Sequence, residues 1–197
     1  MLDNIKSRYV IKVIFANIRN KIKLNIIKFN KKLKARLNVT KEDLEIYIIL
    51  KDFYNKYGNK IEDIDIKEIN LNSELIKNEG LKDLFKLKFK FQELKKLNLN
   101  YNGISDINIL EKVNLTGLKE LDLSENNISN INILEKVNFK ELKILNLSAI
   151  KISNINILEK VNFKELKELD LSQNNISNIN ILEKVNFKYI KRIRFKL

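Results

Sequence analysis

The sequence predicts an α/β solenoid: short parallel strands stacked in a sheet along one side, short helical segments along the other, and an α-helical cap at the N-terminus. Three observations carry this expectation. A block of 24 residues recurs, with near-copies starting at Leu94, Leu118, Leu142 and Leu166 and a truncated one at Ile190. Inside each block the apolar spacing changes from strand-like to helix-like. The apolar set of one block (Leu118, Leu121, Leu123, Ile128, Ile131, Leu134, Val137 and Phe139 in the second copy) is worth ~1.5 to 3 kcal/mol per side chain only when fully buried. One coil cannot bury these side chains within itself, so coils must lie against each other.

Taken in order, the chain opens with helical patterns. Residues 7–18 are apolar and helix-like, and residues 21–37 place Ile22, Ile26, Phe29 and Leu33 at helical spacing, so both read as amphipathic helices. Thr40 followed three residues later by Asp43 resembles a capping box and opens a helix over about 41–57, which Gly58 can end. The sequence GNK at 58–60 breaks the pattern, so the expected domains are 1–60, a helical cap, and 61–197, the solenoid. A stack needs its first coil covered, and a three-helix unit can do that. IKEINL at 66–71 reads as a degenerate first strand, followed by a longer coil of 28 residues to Leu94.

Within each later unit, Leu121 and Leu123 alternate with Glu120, Asp122 and Ser124, as in a strand with one buried face. SENN then supplies turn formers. Leu134 and Val137, three apart, mark one helical or tight-helical turn. The fifth copy ends in YIKRIRFKL, whose Lys191, Arg192, Arg194 and Lys196 discourage pairing at an open strand edge.

The pattern LxxLxLxxNxI, at 94–104, 118–128 and 166–176, resembles the leucine-rich repeat, specifically the short-repeat class that includes phosphatase-regulating and internalin-type proteins. The resemblance covers about 66–197 and implies a curved solenoid with its strands on the concave side. It also implies that Asn102, Asn126 and Asn174 form a structural ladder, turned inward so that their amides satisfy main-chain groups of adjacent coils. The third coil departs from the pattern: Ile150 stands where the asparagine belongs. A turn there is expected to be less well satisfied or locally reshaped.

A second segment, KSRYVIKVIFANIRNKIKLNIIKFNKKL, is similar to an F-box, with Val13, Ile14, Phe15 and Ile18 before a break and a second helix over 24–29. It lacks the early Leu-Pro and the later Trp of that family. The similarity implies a substrate adaptor of a cullin-type ubiquitin ligase, with a ligase subunit docked on residues 5–37. A third class, phosphatase regulation, is implied only by the analogy of repeat type.

On each strand the residues flanking the buried leucines face the concave side. The degenerate first strand offers Glu68, Asn70 and Asn72. The first full coil offers Lys96, Asn98, Asn100 and Tyr101; the second Glu120, Asp122, Ser124 and Glu125; the third Ile144, Asn146, Ser148 and Ala149. The fourth offers Glu168, Asp170, Ser172 and Gln173, and the last strand Arg192, Arg194 and Lys196. An apolar spot, Ile144 and Ala149, ringed by polar and charged groups is what a protein contact centre looks like.

Composition narrows the chemistry. With no Cys, His or Trp among 197 residues, disulfides, thiolate or imidazole metal sites, cysteine nucleophiles and histidine bases are excluded. Asp122 and Asp170 lie two coils apart, ~10 Å at the usual strand spacing, too far for an acid and base sharing one bond, and no third ligand approaches them to hold a metal. No catalytic, cofactor or metal site is expected. The net charge of +13 is uneven: residues 1–60 carry 15 Lys and Arg against 5 acids, 61–188 carry 19 against 20, and 189–197 carry four against none. Only five of the 38 basic residues are Arg. With no aromatic platform or Arg-rich groove beside it, this lysine excess does not make nucleic acid the expected partner. Lys or Asp interrupts every apolar stretch, so no membrane span is expected, and no cleavable leader follows MLDNIKSR, which makes the expected location cytoplasmic. The expected function is a non-enzymatic protein-protein interaction scaffold that holds another protein on its concave face.

Overall fold

Residues 52–53, 55–57, 67–73, 75–87, 91–185 and 187–195 are described by the computed structural model. The chain divides into two units, Met1–Asp65 and Ile66–Leu197. In the first, residues 52–53 and 55–56 are helical, within the helix expected over 41–57. The Tyr57 N–H donates to the Phe53 carbonyl at 3.2 Å, and the two rings pack with centroids 4.8 Å apart. The helices expected over 7–18 and 21–37, the capping box, the break at 58–60 and the F-box-like segment lie outside the described residues.

The second unit is built from a single constraint, the burial of one leucine row per coil. Six three-residue strands, β1 (Glu68–Asn70), β2 (Lys96–Asn98), β3 (Glu120–Asp122), β4 (Ile144–Asn146), β5 (Glu168–Asp170) and β6 (Arg192–Arg194), form one sheet in chain order. All neighbours are parallel. The register places Ile69, Leu97, Leu121, Leu145, Leu169 and Ile193 side by side. The first step, from Glu68 to Lys96, is the longer coil expected from IKEINL. A one-residue slip would turn every leucine of a strand outward, so the register is strongly specified. Leu99, Leu123 and Leu147 just past the strands, and Leu94, Leu118, Leu142 and Leu166 just before them, are fully buried as well.

Backbone pairing continues beyond the strands, with the Leu123 N–H donating to Asn146 O and the Glu125 N–H to Ser148 O, both at 3.0 Å. The chain then turns through a left-handed residue at the same place in each full coil. Tyr101, Glu125 and Ala149 have φ of 53° and Gln173 of 57°.

On the convex side the helical segments are turns of 3-10 helix, at Asn108–Lys112, Asn132–Glu135, Asn156–Glu159 and Asn180–Glu183. Each starts behind a side-chain acceptor two residues earlier. Asn130, Asn154 and Asn178 Oδ1, and Asp106 Oδ1 in the first full coil, take the N–H of Asn132, Asn156, Asn180 and Asn108, all at 2.8 Å. This is the local turn chemistry that Asn and Asp favour. The longer first coil instead forms an α-helix, α1 (Lys77–Lys86), which buries Leu81 and Leu84. Phe139, Phe163 and Phe187 stack up the interior at centroid spacings of 5.9 and 6.5 Å, one ring per coil.

Candidate functional site

The side chains on either side of the buried strand leucines form two parallel rows on the concave face. In register, the first row reads Glu68, Lys96, Glu120, Ile144, Glu168, Arg192, and the second Asn70, Asn98, Asp122, Asn146, Asp170, Arg194. Together they line a groove of about 310 Å3. The sheet therefore brings ten of the residues expected to bind a partner into one surface: Lys96, Asn98, Glu120, Asp122, Ile144, Asn146, Glu168, Asp170, Arg192 and Arg194. Tyr101, Glu125, Ala149 and Gln173 are not part of its lining. They occupy the left-handed turns beside it, where Tyr101 is 53% exposed. Ser124 departs from expectation. It is buried: its hydroxyl and N–H both donate to Asp122 Oδ1, at 2.5 and 2.9 Å, and the Asn100 amide of the preceding coil lies on its hydroxyl at 2.7 Å.

That arrangement recurs and explains the residue types of the second row. Each of Asn70, Asn98, Asp122, Asn146 and Asp170 uses Oδ1 to accept the N–H two residues ahead, at 2.9–3.1 Å. Asn and Asp are needed here to close the turn leaving the strand. In the two aspartates only Oδ2 remains for other partners. Asp170 Oδ2 takes Arg194 Nη1 at 3.1 Å, whereas Asp122 Oδ2 takes the neutral amide of Asn146 at 3.2 Å.

In the first row most charges are satisfied within the sheet. Lys96 Nζ lies 3.7 Å from Glu68 and 3.4 Å from Glu120, and Arg192 lies 3.4 Å from Glu168. A hydrogen bond and then the charge of Glu120, with the charge of Glu68 added, push the Lys96 ammonium above its ordinary value. Burial pushes the Asp170 carboxyl up, but bonds from the Ser172 hydroxyl and N–H and from Arg194 together outweigh it and leave the group below the ordinary carboxylate value. Among the described residues, Asp122 has no cationic partner. Ile144 is 37% exposed between Glu120 and Glu168.

Beneath the turns run the asparagines. Asn126 Oδ1 accepts the N–H of Asn102 and Ile104 from the preceding coil, at 3.1 and 2.9 Å. Its Nδ2 donates to Leu99 O, Leu123 O and Ser124 O. Asn174 repeats this with Ile150, Ile152 and Leu147, and Asn102 reaches Ile76 N–H and Leu71 O. Ile150, wholly buried, offers no such groups, and among the described residues the N–H groups of Asn126 and Ile128 are left without an acceptor.

The copies differ from one another mainly on this face. ISNINILEKVNF is identical at 128–139, 152–163 and 176–187, and the first full coil changes it only at Asp106 and Leu115. Over the same coils the first-row residue is Lys, Glu, Ile or Glu, and the left-handed turn residue Tyr, Glu, Ala or Gln. Among the described residues no cluster of three or more acids could hold a metal ion, and no helix is long and apolar enough to cross a membrane.

Residues 92–136 match the model for leucine rich repeats, in two copies. No curated protein matches the chain. Among solved structures it is similar to an internalin (inlF) from Listeria monocytogenes, with 21% identity and a TM-score of 0.37 over 66% of this chain and 48% of that one. It is also similar to an internalin C2 (inlC2) from the same organism, with 19% identity and a TM-score of 0.36 over 77% of this chain and 96% of that one. The chain thus spans about half the length of the first of these.

Proposed function

We propose, from the premise that this chain carries leucine-rich repeats, that it is a non-enzymatic protein-interaction module that holds a partner protein in its concave groove. One observation carries the reading: near-identical copies keep their convex face and vary their concave one. A repeated surface presents the same contacts at every step. Recognition of one asymmetric partner requires the steps to differ, and here they differ on the strand positions that line the groove. The groove also has the makeup of a contact surface, with one apolar side chain inside a ring of polar and charged groups.

Among the described residues, the two aspartates of the groove are poorly placed to share one reacting bond. Asp122 and Asp170 are separated by the Asn146 strand position, and each has one carboxylate oxygen engaged by a serine. The cytoplasm is the proposed setting, which fractionation of tagged protein checks.

The test is affinity capture with the full chain against the double variant Glu120→Arg with Ile144→Arg and a convex control, Asn132→Arg with Asn156→Arg. Loss of partners with the first variant and retention with the second is the expected result. The opposite pattern overturns the reading. Recovery of a ligase subunit that depends on the N-terminal 40 residues makes the chain a substrate adaptor, with the groove choosing its target.

A further inference from the structure

We infer that the centre of the groove is a socket for one cationic side chain of the partner protein, its aliphatic stem lying on Ile144 and its charged head reaching Asp122 Oδ2. This rests on the concave face being the partner face and adds what that face selects.

The repeat supplies its own template. Asp122 and Asp170 occupy the same place in identical strands, ELD on β3 and ELD on β5. Their Oδ1 atoms bind Ser124 and Ser172 in the same way. At Asp170 the residue one strand further on is Arg194, whose guanidinium lies 3.1 Å from Oδ2. At Asp122 that position is Asn146, a shorter and neutral side chain. The same carboxylate geometry therefore holds a cation in one coil and lacks one in the other.

The surroundings favour a cation from outside. Glu120 and Asp122 on β3 and Glu168 and Asp170 on β5 place four carboxylates around the single β4 position of Ile144. The balancing cations, Lys96, Arg192 and Arg194, stand on β2 and β6 and are each already paired with an acid. Five carboxylates line the groove against three cations, and its floor at Ile144 is apolar. A lysine or arginine fits both properties, because its methylene stem covers apolar surface while its head stays with the charges.

The turn chemistry makes the test clean. Asp122→Asn removes the charge and keeps Oδ1 for the turn, as Asn98 and Asn146 already do. Asn146→Arg copies the Asp170–Arg194 arrangement and fills the socket from within. The probe is a displayed library of random dodecapeptides selected on the immobilised full chain. Peptides are assigned to the groove by loss of binding to the chain with Glu120→Arg and Ile144→Arg.

Groove-directed peptides are expected to share a Lys or Arg whose replacement by Gln weakens binding about tenfold. Asp122→Asn costs a similar factor, and the two changes together cost no more than either alone. Asn146→Arg reduces binding as well and, by removing the acceptor for the Ser148 N–H and hydroxyl, also lowers the melting temperature, whereas thermal melting of Asp122→Asn stays close to that of the parent. Groove-directed peptides without a shared basic residue, or unaffected by Asp122→Asn, overturn the socket and leave the concave reading standing. If every selected peptide binds the Glu120→Arg, Ile144→Arg chain as well as the parent, that reading falls and the socket with it.

Discussion

Asn174 serves the coil before its own: its Oδ1 accepts the N–H of Ile150 at 3.1 Å. Ile150 occupies the matching position one coil earlier and returns no such service to Asn126 and Ile128. The defect in the ladder is thus displaced by one coil from the substitution that causes it. Ile150→Asn exchanges a buried aliphatic side chain, worth ~1.5 to 3 kcal/mol, for two regained bonds to buried N–H groups whose isolation costs ~1 to 3 kcal/mol each. The expected net gain is about 1 kcal/mol, read as a higher denaturation midpoint with unchanged slope. A lower midpoint refutes the account.

Lys151 has φ of 72°, a left-handed conformation that Gly103 adopts at the same place two coils earlier with φ of 65°. For a residue with a Cβ this costs ~1 to 2 kcal/mol, partly offset by the greater freedom glycine has in the unfolded chain. Lys151→Gly is therefore expected to stabilise by about 0.5 kcal/mol, whereas Asn127→Gly, where φ is not positive, destabilises. Melting of the two variants under identical conditions decides it.

Gly117 sits where the second full coil crosses the first. A methyl group there would run into the Gln92 carbonyl oxygen and crowd the Lys95 ammonium, which itself donates to Gly117 O at 3.1 Å. Because the obstacle is backbone, relief requires the coils to separate, and Gly117→Ala should destabilise by about 2 to 3 kcal/mol. Urea denaturation at an unchanged midpoint would show that the coils can slide apart freely.

Asp170 makes stability depend on acid. Its carboxyl is held below the ordinary value of 3.8, so the unfolded chain takes up its proton first as pH falls. The contribution is complete above that ordinary value and disappears as pH drops through the lower folded one. Below about pH 4 the parent should lose stability more steeply than Asp170→Asn, which keeps the turn acceptor but cannot titrate. Midpoints that fall in parallel for both proteins would remove Asp170 from the acid response.

Local periodicity was sufficient to place Leu97, Leu121, Leu145 and Leu169 side by side, and the resemblance carried by the repeat motif implied that Asn102, Asn126 and Asn174 turn inward. Those features depend on residue type at a fixed interval, and an interval is visible in one dimension. The two rows of the groove followed from alternation about the same leucines. Only the tertiary structure decided which atoms of those rows remain available. It commits Oδ1 of Asp122 to a turn and buries Ser124, shares Lys96 between two glutamates, and gives Asp170 a cation that Asp122 lacks. These outcomes depend on contacts across neighbouring strands ~4.8 Å apart, between residues 24 positions apart whose individual identities, rather than their period, set what each can reach.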